Sequence, residues 1–519
     1  MFMRCKIQYN NILLCASICS LQVSTVYAQS VEKKKLPNIL FIMSDDHTSQ
    51  AVSAYGGLLS TVLPTPNIDR LAREGAILRN CFVTNSISTP SRACILTGQY
   101  SQKNGVYTLA DSLDSCLPTS ATYLHDQGYQ TAVIGKWHLG SEPAGFDYYY
   151  VLPGQGVYDN PGLIKKGDWH AGKNGGPKPT KNQGHSTDII GEEAIRYLSS
   201  VDKEKPFFLM CHFKAPHRPW KPAARFKDLL KDVEVPEPDN LLDAYEGKGK
   251  FTKEIRMGLE FMNHIDLKNE PVPSGLSVEE KRHWIYQRYI KDYLRCVAGV
   301  DENVGRILKY LDDNGLTENT VVVYTGDQGF FLGEHGWFDK RLMHEESLRM
   351  PFLIRYPKEI VPKTVNDDII LNVDFAPLFL DYANIPLPKQ MQGKSFRKNL
   401  QGKRVAGWRK SMYYRYWQHA DGAHNATANY GIRTERYKLV YYYARSLGKT
   451  GTSNKPLEPE WELYDLKKDP CEMNNIYHQP SSQKLIKKLK LELLELKKQY
   501  EDEDTAYPEM QELNKEYFW

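Results

Sequence analysis

The residues best suited to chemistry fall in four short clusters. They are Ser44-Asp45-Asp46-His47, Gly135-Lys136-Trp137-His138, Cys211-His212-Phe213-Lys214-Ala215-Pro216-His217 and Thr325-Gly326-Asp327-Gln328-Gly329. Asp45, Asp46, Asp327 and Gln328 offer only oxygen donors, which suit hard cations such as calcium or magnesium. A zinc site would want more His or Cys. Any single Asp here also reads as a helix cap or turn residue. Two such groups, each closing an apolar run, read as a metal site.

Each cluster follows a run that looks like a buried strand. Asn38 to Met43, Thr131 to Ile134, Pro206 to Met210 and Thr320 to Tyr324 are nearly continuous in apolar residues, as strands covered on both faces must be. Helical patterns separate them, among them Asn67 to Glu74 and Arg288 to Asn314. Alternating strands and helices predict a parallel sheet with both faces covered. Ligands bind beyond the carboxyl ends of such strands, so the sheet would gather all four clusters at one edge. The Gly-, Pro- and Lys-rich stretch from Pro153 to Gly184 reads as a long loop on the rim of that site. Near residue 400 the texture changes to Tyr-rich strands, Met412 to Trp417 and Tyr437 to Tyr443. A helix follows, with Leu485, Leu489, Leu493 and Leu496 on one face.

A fifth stretch, Ser88-Thr89-Pro90-Ser91-Arg92-Ala93-Cys94-Ile95-Leu96-Thr97-Gly98, reads on its own as a Ser-Pro turn opening a short helix. Its Ser, with Pro two residues on, Arg four residues on and then Leu-Thr-Gly, resembles the signature of the type I, formylglycine-dependent sulfatases. Asp45-Asp46, Gly135-Lys136-Trp137-His138, Pro216-His217, Asp327-Gln328-Gly329, Gly333-Glu334-His335-Gly336 and Lys340 agree in order and spacing. The resemblance runs by motif from roughly residue 37 to residue 400, and more loosely through the tail. It implies an alkaline-phosphatase-like α/β fold, a large mixed sheet flanked by helices, with a smaller C-terminal domain holding an antiparallel sheet and a helix. The expected division is a signal peptide over 1–28, a catalytic domain over 29–405 and a C-terminal subdomain over 406–519.

By that resemblance Ser88 is the precursor of formylglycine (3-oxoalanine). A plain Ser hydroxyl is a weak nucleophile and would leave a stable sulfate ester, whereas a hydrated aldehyde can attack with one oxygen and expel sulfate with the other. The implied metal, usually calcium in the family, is held by Asp45, Asp46, Ser88, Asp327 and Gln328. Many relatives carry Asn or His where Gln328 stands. Arg92 is expected to stabilise the alkoxide on residue 88, and Lys136 and Lys340 to hold sulfate oxygens. His217, near Lys340, is the expected acid for the leaving alcohol, and His138 the base that breaks down the sulfated diol. His335, His47 and His212 read as structural or supporting groups.

The triplet Asp339-Lys340-Arg341 resembles the N-acetylglucosamine-6-sulfatase branch. It implies that Asp339 and Arg341 hold a sugar hydroxyl, O4, at the non-reducing end of heparan-type or other glucosamine-containing glycans. The alternative is an Asp–Arg ion pair that merely orients Lys340. The segment Tyr416-Trp417-Gln418-His419 is expected to cover the sugar. The alternatives are a sulfatase acting at another sulfate position, a phosphomono- or phosphodiesterase of the same superfamily with an unmodified Ser or Thr, and, from another class, a non-catalytic sulfoglycan-binding protein. Against the phosphoesterase stand Pro90, Arg92 and the lack of a second, His-rich metal set; against the binding protein, every expected catalytic position is filled.

The chain has 519 residues, 41% hydrophobic and 25% charged, an ordinary globular composition that excludes disorder, collagen and disulfide miniproteins. Its net charge of +4 gives no field pointing to nucleic acid. Arg4 and Lys6, an apolar run from Ile12 to Val26 and the ending Val26-Tyr27-Ala28 resemble a secretory signal peptide, too short and polar to span a bilayer. Its removal takes two cations and no acids, so the charge falls to +2. Of nine Cys, the six beyond it show no zinc spacing and read mostly as buried free thiols. Serine rather than Cys at position 88 implies a radical-type, oxygen-independent sulfatase-maturating enzyme. The expectation is therefore a bacterial protein exported to the periplasm or beyond, with a sulfated glycan as substrate and no membrane span.

Overall fold

The computed structural model describes residues 35–402 and 405–519; the expected signal peptide lies outside them. Residues 36–519 form one compact unit. Its backbone is a ten-stranded mixed sheet. Four parallel strands make the centre: β1 (Asn38–Ser44), β2 (Gln130–Lys136), β3 (Phe207–Phe213) and β4 (Thr320–Gly326). β1 lies between β3 and β4, and β2 pairs with the far side of β3. Every residue of β1, β3 and β4 is buried, which explains their continuous apolar runs.

The flanks make the sheet mixed. Phe352–Arg355 joins β4 antiparallel, and Tyr148–Leu152 joins β2 parallel. Within the Pro153–Gly184 stretch, the strands Gly162–Lys165 and Thr180–Lys181 extend the edge beyond Tyr148–Leu152. This stretch is therefore part loop and part edge hairpin. Short two- and four-residue strands among Gly and Pro carry too little periodicity to read from sequence.

Helices cover both faces. The longest, Val278–Asp313, starts ten residues before the expected Arg288. Its Ser277–Glu280 capping box satisfies the first amides. The second sheet is four antiparallel strands in sequence order, β5 (Ser411–Tyr416), β6 (Asn429–Thr434), β7 (Tyr437–Tyr442) and β8 (Glu460–Asp465). The helix Gln483–Gln499 packs on it through Ile486, Leu489 and Leu493, with Leu485 and Leu496 partly covered. All six cysteines among the described residues are free: four are buried, while Cys116 and Cys471 are exposed. No described helix is long and apolar enough to cross a membrane.

Candidate active site

The central strands deliver the clusters to one edge. β1 runs straight into Asp45 and Asp46, and β4 into Asp327 and Gln328; all four are fully buried. The two strand ends are tied together, because the Asp46 amide donates to Asp327 Oδ1 at 3.0 Å. β2 ends on Lys136, and a Cβ at Gly135 would collide with the His212 carbonyl of β3. Glycine thus lets the strand carrying the lysine approach the strand leading to His217.

Ser88 begins the ten-residue helix Ser88–Thr97, whose residues are all buried. A helix with no exposed face sits inside the protein, and its free N-terminal amides favour an anion there. Ser88 Oγ donates to Asp45 Oδ1 at 3.1 Å. One turn on, Arg92 donates from Nε to Asp327 Oδ2 at 3.1 Å and from Nη1 to the Lys136 carbonyl at 2.7 Å. Lys136 Nζ donates to Asp45 Oδ2 and, at 2.6 Å, to Gln155 Oε1. Lys340 Nζ donates to Asp46 Oδ1 at 2.5 Å. Every catalytic and metal-ligating candidate thus falls in one buried cluster, except that His138 and His217 stand at its margin. His138 Nδ1 is 3.5 Å from Thr89 Oγ1, and His217 Nε2 is 3.7 Å from Asp46 Oδ2.

Burial dominates the electrostatics. It lifts the Asp46 carboxyl to about 6, with Asp327 and Asp339 adding repulsion and Lys340 opposing. It depresses Lys136 well below the usual lysine range, helped by Lys214. Burial, then Lys136, holds His138 down to about 2, and burial with Lys136, Lys214 and Lys340 holds His217 well below an ordinary imidazole. Lys136, Arg92 and Lys340 each pair with one of the three buried carboxylates, yet acceptor atoms are left over. Asp46 Oδ2 and Gln328 Oε1 are buried with no hydrogen-bond partner. Asp45, Asp46 and His217 each offer a ligand atom within 4.8 Å of one another. An oxygen-rich, anionic set with orphaned acceptors fits a hard cation. His217 donates from Nδ1 to the Arg218 carbonyl at 2.7 Å and so keeps Nε2 free, but an imidazole nitrogen suits a hard cation less well than the oxygens around it.

Beside Lys340 stands a second group. Arg341 Nε donates to Asp339 Oδ1 at 3.2 Å, and both residues are nearly fully buried. Asp339 Oδ2 lies 3.3 Å from His424 Nε2, and Arg341 Nη1 donates to Tyr416 Oη at 3.2 Å. Burial would raise Asp339, but Lys340, His424 and Arg341 outweigh it and hold it well below the usual carboxylate range. Asp46, His138, Asp339 and Arg341 all have positive φ (62°, 55°, 78° and 96°), a conformation that non-glycine residues keep only where their surroundings enforce it.

Two residues here had no sequence signal: Gln155, from the rim, and His424, from the turn between β5 and β6. One expectation fails. Trp417 and His419 are buried, not laid over a sugar: Trp417 packs 3.6 Å from the Arg415 guanidinium, and His419 Nε2 bonds the Lys455 carbonyl. Of that segment, Tyr416 reaches the site through Arg341. His335 is buried against Asp243, and His212 bonds the Lys136 carbonyl, both as supporting groups would.

The sulfatase family profile matches residues 37–385. The chain belongs to the sulfatase family. A second profile, the C-terminal region of N-sulphoglucosamine sulphohydrolase, matches residues 333–499 of this sulfatase. It is 42% identical to an N-acetylglucosamine-6-O-sulfatase of Bacteroides thetaiotaomicron, over 94% of this chain and 91% of that protein. A protein solved in complex with its substrate, D-glucosamine-2-N,6-O-disulfate, superposes with a TM-score of 0.83 at 43% identity, covering 91% of this sulfatase and 99% of that chain. A phosphonate monoester hydrolase of Agrobacterium radiobacter shares the fold alone, with a TM-score of 0.70 at 21% identity over 89% of this chain and 96% of that one. The architecture is the alkaline-phosphatase-like sulfatase fold.

Proposed function

We propose that this sulfatase removes the 6-O-sulfate from a terminal N-acetylglucosamine or glucosamine of a glycan, acting from the non-reducing end. The observation that carries this is the buried Asp339–Arg341 pair beside Lys340, in a chain 42% identical to an N-acetylglucosamine-6-O-sulfatase. A buried acceptor and donor held in one orientation discriminate sharply, because a hydroxyl of the wrong configuration leaves both charged groups badly paired.

In this reading Ser88 is converted to formylglycine, which supplies a diol with one oxygen to attack sulfur and another to release sulfate. Asp45, Asp46, Asp327, Gln328 and residue 88 would hold a calcium ion, which would supply charge neutralisation at the sulfate. Arg92, fixed by Asp327 and the Lys136 carbonyl, stabilises negative charge on residue 88. Lys136 and Lys340 exchange carboxylate partners for sulfate oxygens. His217, with Nδ1 fixed on the Arg218 carbonyl, presents Nε2 to the leaving oxygen. An incoming sulfate offsets the cations that hold it neutral and raises its proton affinity. His138 takes the proton that frees sulfate from residue 88. A radical-type maturase makes the modification, and the chain is exported to a bacterial periplasm; the expected signal peptide supports this.

Activity is compared on 6-sulfated N-acetylglucosamine and its galactose-configured analogue. A strong preference for the former supports the reading; equal rates, or a preference for 2-O- or 4-O-sulfate, defeat it. Peptide mass spectrometry across residue 88 should show loss of a pair of hydrogen atoms in active protein. Full turnover by a preparation containing only unmodified Ser88 overturns that part.

A further inference from the structure

We infer that the pocket behind Thr89 and His138 is a second sugar subsite, which binds the next residue of the glycan on its reducing side. The inference rests on the function proposed above and extends it from the sugar that loses sulfate to its neighbour.

The pocket is a cavity of about 370 Å³, within the range of ligand sites. Two of its lining residues, Thr89 and His138, belong to the catalytic cluster: Thr89 follows Ser88, and its hydroxyl meets His138 Nδ1. The pocket therefore lies directly against the catalytic cluster. None of the residues lining it belongs to the Asp339 group, so a sugar held there does not compete for that pair. Trp137, Leu152, Ile164 and Trp169 give it apolar surface. Trp137 is buried, its indole N–H satisfied by the Ser141 carbonyl at 2.6 Å. Trp169 is half-exposed and braced edge-on by Tyr149, with centroids 6.4 Å apart. A partly exposed indole held in place by a neighbouring ring can serve as a platform for a sugar ring.

Charge points the same way. The segment from Pro153 to Gly184 that carries Ile164, Trp169 and Pro177 into the lining also holds Lys165, Lys166, Lys173, Lys178 and Lys181, all exposed, against Asp159 and Asp168. Lys165 and Lys166 directly follow Ile164, and Lys178 follows Pro177. The pocket wall itself carries an acid, Asp111, and no lysine, so the positive charge lies on the surrounding segment, where it favours a neighbour whose carboxylate or further sulfate projects out of the pocket. The same segment also reaches the catalytic lysine, through Gln155.

The test compares kcat/KM on a 6-sulfated N-acetylglucosamine monosaccharide with a disaccharide carrying it at the non-reducing end, joined to a uronic acid. The parent enzyme should favour the disaccharide about tenfold, in line with one aromatic platform and a charge contact. Trp169→Ala should bring that ratio close to one while monosaccharide activity holds within about twofold. Trp169→Phe should restore most of it, and Lys165→Ser with Lys166→Ser should make the disaccharide rate less salt-sensitive. A parent ratio near one, or an equal loss on both substrates in Trp169→Ala, overturns the subsite. If the parent prefers another sulfate position, the function proposed above fails, and the ratio measured at that position still decides the subsite.

Discussion

Asp327 does two jobs at once: its Oδ1 accepts the Asp46 amide and its Oδ2 holds Arg92. Asp327→Ala therefore removes a cation ligand and releases the arginine beneath residue 88. We expect a folded protein with at least a ~100-fold loss of kcat/KM, since charge stabilisers at such centres are worth about that much. Bound calcium, measured by elemental analysis, should fall in parallel; near-normal turnover with calcium depleted removes Asp327 from the ligand set. Asp339→Ala and Arg341→Ala should each cost roughly 10- to 100-fold on 6-sulfated N-acetylglucosamine, as expected when a buried polar partner is left unpaired. Both variants should also narrow the preference over the galactose-configured analogue. These residues were legible because their motifs are local, each a few positions past an apolar run. Gln155 and His424 were not, because their places depend on the path of long connections. The Tyr416–His419 run misled for a related reason: aromatic residues look alike in sequence whether they face a sugar or, like Trp417, a buried Arg415.

At the scale of elements, the sheet was legible wherever strands are long and buried on both faces, and illegible at its edge. The long helix Val278–Asp313 extends further back than its apolar period shows, since its first six residues hold only one apolar side chain and its start is set by the Ser277 cap. Its buried Asp301 shows what holds it to the sheet-covering layer. The Asp301 carboxylate accepts the amides of Asn67 and Ile68, at 3.1 and 2.9 Å, at the start of the helix Pro66–Glu74. Burial outweighs those bonds and lifts Asp301 from 3.8 to about 6. Between these values the folded state holds the proton more tightly than the unfolded state. Stability contributed by this group is therefore lost as pH rises through that window, up to ~3 kcal/mol above it. Asp301→Asn, which keeps one acceptor, should gain in relative stability from pH 4 to pH 7. Urea midpoints for parent and variant measured across that range check the sign; a constant difference refutes it.

Across the whole molecule, the smaller sheet completes the site. β5 donates from the Arg415 amide to the Thr84 carbonyl at 3.1 Å, and Tyr414 Oη donates to the Arg341 carbonyl at 3.0 Å. The backbone of Arg341 is thus held from β5, and the turn after β5 supplies His424. Deeper down, Glu345 receives Arg433 of β6 at 3.0 Å and Lys438 of β7 at 2.9 Å, and Lys438 also reaches Glu472 at 2.8 Å. Burial would raise the Glu345 carboxyl, but Arg433, Lys438 and Arg349 outweigh it and hold it well below the usual range. Ionised at neutral pH, this group joins the short helix Glu345–Leu348 to the second sheet. Arg433→Ala strips one of three cations and leaves Lys438 and Arg349 on the carboxylate, so the cost should be about 1–3 kcal/mol, that of a buried group losing one partner. Arg433→Lys, without the forked guanidinium, should recover only part of it. If the two sheets unfold together, calorimetry of Arg433→Ala should show one transition moved bodily to lower temperature. Activity at 25 °C should fall less than in Arg341→Ala, because the Asp339 pair is intact. Two separated transitions in the parent, with only one moving in the variant, would mean that the smaller sheet unfolds as an independent unit.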